Sequence, residues 1–155
     1  MRHAKAAWTS DDSDDHARPL DERGRRDAPR IAARLVEIGW LPDIVISSDS
    51  ERTRQTLELM HACLRDTRST TFTRDLYLAG VDEAVRALAK TEDDTACVLL
   101  LGHNPGWEDV LMWLSRERSG LGTANAALLE CAASTWAESI AREGDWSLKE
   151  ILRPS

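Results

Sequence analysis

The chain has few cysteines, no long apolar run and no excess of positive charge, and each absence excludes a class of protein. Its three cysteines are far apart and form no CxxC pair, so neither a zinc site nor a disulfide framework is indicated. We expect Cys63, Cys97 and Cys131 to be reduced and mostly buried. No apolar run approaches the ~20 residues that a membrane-spanning helix needs.

The net charge and the length of the chain exclude further classes of protein. A formal net charge of −7 argues against binding nucleic acid through bulk electrostatics. A length of 155 residues suits one domain with a real core, and we expect a single domain over residues 1–155. The start shows no cationic segment followed by an apolar one, as a signal peptide would, so we expect a cytoplasmic protein.

The run DDSDD at 11–15 has two readings. We interpret it as a solvated loop. A loop that binds Mg²⁺ or Ca²⁺ is the alternative, but the glycine and the spaced glutamate of a calcium loop are missing.

Apolar spacing predicts alternating helices and strands. Helical spacing covers 24–39, 50–65 and 81–90, and a further helix begins near Pro105. Strand-like runs cover 43–48, 71–75 and 96–102, followed by two more at 125–133 and 146–152 with a loop around 144–145. This order predicts an α/β fold, a three-layer α/β/α sandwich with a mostly parallel central sheet and an antiparallel C-terminal edge.

Histidines and arginines recur at the predicted carboxyl ends of strands, the edge where such sheets bind ligands. The residues at this edge are Arg2 with His3, Ser48 with Arg52, and His103 with Asn104. Helix N-termini and arginines bind anions. A histidine among arginines has its pKa lowered by like charge, and the neutral imidazole that results is a competent nucleophile. The pattern therefore predicts an anion site.

Simpler readings stay open for individual residues. Ser47 and Ser48 could be helix N-caps, and Arg54 is expected to pair at the surface with Glu51 or Glu58. The tryptophans are expected mainly in the core and at its rim, although Trp8 and Trp107 could line a pocket.

Several motifs occur in the order found in the histidine phosphatase superfamily. Arg2-His3-Ala4 resembles its Arg-His-Gly or Arg-His-Ala signature, and Ser48 to Thr56 resembles its Ser-x-x-x-Arg-x-x-Gln-Thr block. His103 corresponds to the second histidine. RHAKAAW, RPLDERGRRDA and GHNPGW look most like the SixA-type phosphohistidine phosphatases, and the resemblance covers nearly the whole chain.

The resemblance implies roles for these residues. His3 would attack phosphorus and carry the phosphoryl group, while Arg2, Arg52 and His103 would bind its oxygens. Arg18, Ser48 and Asn104 would contribute to substrate binding. Neither a metal nor another cofactor is expected, because the arginines would supply the positive charge.

The carboxylate acid used by the mutase and acid phosphatase branches has no convincing match. Asp75, Asp82 and Glu83 lie in the relevant region without fitting the pattern. Because phosphohistidine leaves as imidazole, a good leaving group, a missing acid favours an N–P substrate. The expected activity is hydrolysis of protein phosphohistidine, or of a small phosphorylated compound, with no nucleic acid or membrane as partner. A broad phosphomonoesterase or mutase, and a non-catalytic phosphate-binding module, are the alternatives.

Only Met1 precedes the Arg-His pair, whereas a strand usually has about 5–6 residues. We therefore expect the natural protein to start several residues upstream, with an aliphatic run ending at this methionine. The alternative is a shortened first strand in which neighbouring strands hold His3.

Overall fold

The computed structural model describes residues 1–9 and 14–155. Its helices are α1 (Glu22–Glu37), α2 (Glu51–His61), α3 (Val81–Ala89), α4 (Gly106–Ser115) and α5 (Trp136–Ser139). Its strands are β1 (Ile44–Ser48), β2 (Ser69–Thr73), β3 (Val98–Leu101), β4 (Ala126–Glu130) and β5 (Ser147–Leu152). Two 3₁₀ turns, Asp15–Ala17 and Arg74–Leu76, complete the regular structure of the described residues.

The predicted elements are confirmed, with differences at their ends. Helix α1 begins at Glu22, two residues earlier than the apolar spacing indicated, because the side chain of Asp21 accepts a hydrogen bond from the Gly24 amide and caps the helix. Helix α2 ends at His61 rather than at 65. The predicted loop between the last two strands contains the short helix α5, whose N-cap is Thr135.

The strands form a parallel sheet of order β2-β1-β3 and an antiparallel pair of β4 with β5. Residues 1–3 lie beside β3, since Arg2 forms a parallel bridge with Gly102. On their other side they join the segment leading into β4, where the Arg2 amide donates to the Asn125 carbonyl and the Ala124 amide donates to the His3 carbonyl. Backbone bonds on both sides therefore fix the position of His3.

Two apolar cores lie on opposite faces of these strands. Alternate strand residues divide between the cores: Val45, Leu101 and Leu128 belong to the first and Ile46, Leu100 and Leu129 to the second. Helices α1 and α2 cover the first core, and α3 and α4 cover the second. Because strand side chains point alternately to the two faces, this division shows the predicted three-layer α/β/α arrangement.

The cysteines depart from expectation: all three are free, but each is only half-buried. None of the described helices is long and apolar enough to cross a membrane.

Candidate active site

His3 lies at the carboxyl edge of the sheet with a defined tautomer. Its Nδ1 is 2.7 Å from the carbonyl oxygen of Ala4. Since a carbonyl only accepts, Nδ1 carries the proton and Nε2 keeps its lone pair. Burial lowers the pKa of His3 to about 4, and the charges of Arg52 and Arg2 act in the same direction, against the Ala4 hydrogen bond. A neutral imidazole with a free Nε2 is the form that can attack phosphorus.

His103 follows β3 and faces His3, with the two ring centroids 5.1 Å apart. Its Nε2 lies 2.8 Å from the hydroxyl oxygen of Ser48, the last residue of β1. Burial, followed by the influence of His3 and Arg52, lowers the pKa of His103 to about 3. Its Nδ1 is buried and has no hydrogen-bond partner in the described part of the chain. His103 is thus also neutral near pH 7 and has one ring nitrogen free for a ligand.

Three arginines surround the histidines. Arg52, in the first turn of α2, is only 2% exposed although it is charged and long. Arg2 donates to the carbonyl of Leu121 at 2.9 Å, and Arg18 pairs with Asp15 at 2.9 Å. In each of the three guanidinium groups the Nε atom is buried and unpartnered among the described residues.

Asp15 is a site residue that the sequence analysis missed. One carboxylate oxygen lies 3.0 Å from Nη2 of Arg52, and the other lies 2.9 Å from Nη2 of Arg18. Tyr77 donates its hydroxyl to the same carboxylate at 2.6 Å. Asp15 therefore contacts the arginines directly, contrary to the reading of the acidic run as a merely solvated loop. Of that run, residues 11–13 lie outside the described residues, while Asp14 caps the 3₁₀ turn.

Two aromatic residues at the rim were also missed. The Tyr77 ring meets the His103 ring edge-on, with centroids 5.5 Å apart, and meets the His16 ring in the same way at 4.9 Å. His16 Nε2 is 2.6 Å from a carboxylate oxygen of Asp49. The sequence held a weak signal for His16, which stands two residues before the predicted Arg18, but none that connected Tyr77 to either histidine.

Other predicted residues have different contacts. The side-chain amide of Asn104 donates to Glu108 and to the Leu121 carbonyl, so its donors are already engaged. Arg54 does not form the predicted pair with Glu51 or Glu58, because it donates to the Asp49 carbonyl and lies over the Phe72 ring, 4.2 Å from its centroid. Ser50 is the N-cap of α2, in place of Ser47 or Ser48.

Trp8 and Trp107, which the sequence suggested as pocket residues, differ in burial. Trp8 is 93% exposed. Trp107 is buried, with its indole against Gly102, where an added Cβ would come within 2.6 Å of the ring. Gly102 therefore allows the close packing that supports the turn bearing His103.

The three carboxylates considered as possible acids are not drawn into this cluster. Glu83 accepts from the Gly80 amide and caps α3, and Asp75 and Asp82 are exposed. Within residues 1–9 and 14–155, no group of three or more histidine, cysteine or acidic side chains is arranged to hold a metal ion. That the reaction needs no metal stays a prediction.

The arrangement can bind a tetrahedral anion beside a nucleophile. Nε of Arg2, Arg18 and Arg52 and Nδ1 of His103 are buried nitrogens without partners in the described structure. Buried polar groups are normally hydrogen-bonded, so an unsatisfied set of this kind indicates a missing acceptor. The oxygens of a phosphoryl group would satisfy such donors.

Comparisons with known proteins agree with this chemistry. The model of the histidine phosphatase superfamily (branch 1) matches residues 1–76. An uncharacterized chloroplastic protein of Arabidopsis thaliana is 34% identical over 165 residues, which cover 99% of this chain and 76% of that protein.

Solved structures give the same result. The putative phosphohistidine phosphatase SixA from Nakamurella multipartitia superposes with a TM-score of 0.84 at 27% identity, covering 99% of this chain and 93% of that one. The protein histidine phosphatase SixA complexed with tungstate superposes with a TM-score of 0.83 at 25% identity, covering 99% and 94%.

Proposed function

The chain belongs to the histidine phosphatase superfamily and is a phosphatase that works through a phosphorylated histidine, and we propose that its substrate is phosphohistidine on a protein. We assign the nucleophile to His3. We propose that the phosphoryl oxygens are bound by Arg2, Arg52 and His103. Substrate binding is supported by Arg18 and Ser48.

The observation that carries the proposal is the set of four nitrogens around His3 that have no hydrogen-bond partner among the described residues. A transferring phosphoryl group spreads charge over three oxygens and needs several donors fixed in advance. Three of the four donors are guanidinium nitrogens, which remain charged at any physiological pH. Phosphate binding alone would not need a neutral histidine with a free Nε2 at the centre of that set, which speaks against a non-catalytic phosphate-binding module.

In the first half-reaction, His3 Nε2 forms a bond to phosphorus as the bond from phosphorus to the leaving group breaks. Alkoxide leaving groups need a proton, and Asp75, Asp82 and Glu83 lie outside the cluster. The Asp15 carboxylate contacts the arginines, but its pKa is lowered, so it is ionised and has no proton to donate at neutral pH. Phosphohistidine leaves as imidazole, for which a strong acid is not required. This difference supports an N–P substrate over a sugar phosphate.

A substrate panel tests the proposal. A phosphohistidine peptide, a phosphoserine peptide and 3-phosphoglycerate would be compared by kcat/KM, with His3→Ala as the control. We expect the highest value for the phosphohistidine peptide. His3→Ala should lose turnover by several orders of magnitude and lose the acid-labile phosphoenzyme while keeping its fold.

The other results would identify the alternatives. A higher kcat/KM for 3-phosphoglycerate would assign the protein to the phosphomonoesterases or mutases. Binding of the phosphopeptide without turnover or labelling would indicate a phosphate-binding module. Near-normal hydrolysis by His3→Ala would show that the nucleophile is another residue.

A further inference from the structure

The phosphoenzyme must be hydrolysed in a second half-reaction, and none of the residues assigned so far accepts the proton of the attacking water. Arginines hold their protons, and the hydrogen bond to Ala4 keeps a proton on Nδ1 of His3. The acceptor nitrogen of His103, Nε2, is already engaged with the Ser48 hydroxyl. The group required is an ionised acceptor that is open to water and adjacent to the phosphoryl-binding guanidinium groups.

Asp15 meets these conditions. Its carboxylate joins Nη2 of Arg52 at 3.0 Å and Nη2 of Arg18 at 2.9 Å, while Nε of each arginine has no partner among residues 1–9 and 14–155. Its side chain is 47% exposed, whereas Arg52 is 2% exposed, so the carboxylate lies on the solvent side of the cluster. An anion held by the free Nε atoms would therefore lie next to the carboxylate.

We infer that Asp15 is the catalytic base of the second half-reaction, and this inference rests on the proposed function. A water molecule held by the Asp15 carboxylate attacks the phosphoryl group on His3. The water oxygen forms a bond to phosphorus, and the bond between phosphorus and Nε2 breaks with its electron pair returning to Nε2. The water proton passes to Asp15 and from there to solvent, and inorganic phosphate leaves.

The electrostatics of the free protein agree with this role. Burial would raise the pKa of Asp15, but the hydrogen bond from Tyr77 and the charges of Arg52 and Arg18 outweigh it and lower the pKa. Asp15 is thus ionised before the phosphoryl group arrives. Once the arginines also bind phosphoryl oxygens, their effect on the carboxylate is shared, and it becomes a better proton acceptor.

His16 is the competing candidate. It follows Asp15 in the same 3₁₀ turn and has a carboxylate partner in Asp49. However, among the described residues its side chain meets the cluster through the Tyr77 ring, and no hydrogen bond or ion pair there joins it to an arginine of the site. The geometry therefore favours Asp15.

The test separates the two half-reactions by rapid quench. Wild type, Asp15→Asn, His16→Gln and Asp14→Asn would be mixed with a peptide carrying ³²P-phosphohistidine, and the acid-labile label on the protein would be followed with time. Asp14→Asn is the matched control, because it makes the same charge change one residue away, at a side chain whose partner among the described residues is the His16 amide. In Asp15→Asn we expect labelling at close to the wild-type rate and loss of label slowed at least tenfold, so that the phosphoenzyme accumulates.

A second variant guards against an effect on folding. Asp15→Ala should also accumulate label, and added formate should restore its loss by supplying a carboxylate. The inference is overturned if Asp15→Asn loses label at the wild-type rate, or if formate does not rescue Asp15→Ala. It is also overturned if labelling slows as much as loss of label, since Asp15 would then only position the arginines, or if His16→Gln accumulates label and Asp15→Asn does not.

Failure of the proposed substrate would give a different result. The second half-reaction is the same for every phosphodonor, so p-nitrophenyl phosphate can load the enzyme in place of the peptide. If p-nitrophenyl phosphate labels wild type and the phosphohistidine peptide does not, the substrate assignment is wrong. The role of Asp15 in the loss of label can still be measured with p-nitrophenyl phosphate.

Discussion

The hydroxyl of Ser48 lies 2.8 Å from Nε2 of His103, and both residues are buried. The same hydroxyl oxygen accepts a hydrogen bond from the Ser50 amide at 3.3 Å, which leaves its proton to point towards the imidazole. Nε2 is then the acceptor, and the ring proton is on Nδ1, the nitrogen that has no partner within the described chain. A serine at the end of β1 thereby prepares the histidine after β3 to donate to an anion.

Replacing Ser48 tests this relationship. In Ser48→Ala the tautomer of His103 is no longer fixed, and we expect kcat/KM to fall roughly tenfold, the size of one buried hydrogen bond of about 1.4 kcal/mol. Ser47→Ala is the control, because it removes a neighbouring buried hydroxyl that donates only to the Ser48 carbonyl. The ¹⁵N chemical shifts of the His103 ring report the tautomer. Equal losses of activity in the two variants would refute the assignment.

Arg52→Lys should be damaging although it conserves charge. Arg52 uses two nitrogens on Asp15, at 2.6 Å to its carbonyl and 3.0 Å to its carboxylate, and keeps Nε for the anion. A single ammonium cannot do both, so we expect kcat/KM to fall about 10²-fold or more. The stabilisation that added phosphate gives in a thermal melt should shrink in parallel. Arg54→Lys, two residues further along α2, should leave both measurements nearly unchanged.

The residues predicted from sequence were those that end buried strands or begin the helices that follow. Apolar runs in the sequence predict the buried strands. The carboxyl ends of parallel strands lie at the same edge of the sheet. The sequence therefore predicted that His3 and His103 lie close together, and in the structure their ring centroids are 5.1 Å apart. The direction of the His3 pKa shift was also predictable, although burial, which the sequence does not show, is its larger cause.

Asp15 could not be predicted in the same way. Its partner Arg52 is 37 residues away, and the two meet only because the 3₁₀ turn packs against the start of α2. In composition Asp15 belongs to an acidic run, and such runs are usually solvated. For Asn104 the sequence predicted a ligand contact that the structure does not show. Its position after β3 indicated such a contact, but its side-chain amide donates to Glu108, one helical turn further along.

Gly24 connects α1 to the segment that carries the nucleophile. An added Cβ there would lie 2.2 Å from the carbonyl oxygen of Lys5, two residues after His3. Gly24→Ala should cost about 1–3 kcal/mol of unfolding free energy and reduce kcat/KM, because the backbone beside His3 must shift. Gly80→Ala is the matched control, since the nearest atom to its added Cβ is 3.9 Å away. Urea unfolding measures the free energy of unfolding of both variants. Equal values for Gly24→Ala and Gly80→Ala would contradict the prediction.

The two buried histidines should make the protein lose stability in mild acid. The pKa of His3 is lowered from 6.5 to about 4 and that of His103 to about 3, in both cases mainly by burial. Between pH 6.5 and these values the unfolded chain binds protons that the folded protein does not, so the free energy of unfolding falls as pH falls. Going from pH 6.5 to pH 5 should cost on the order of 2 kcal/mol for each histidine.

Urea unfolding at pH 6.5 and pH 5 measures this loss, and the window stays above the range where most carboxylates titrate. His3→Asn and His103→Gln should each lose less stability than wild type over the same interval, whereas the exposed His61→Gln should lose as much as wild type. Added phosphate should reduce the loss in wild type, because an anion bound between the histidines favours their protonated forms. If His3→Asn and His103→Gln lost as much stability as wild type, the neutral state of the pair, and with it the attack by a free Nε2, would have to be abandoned.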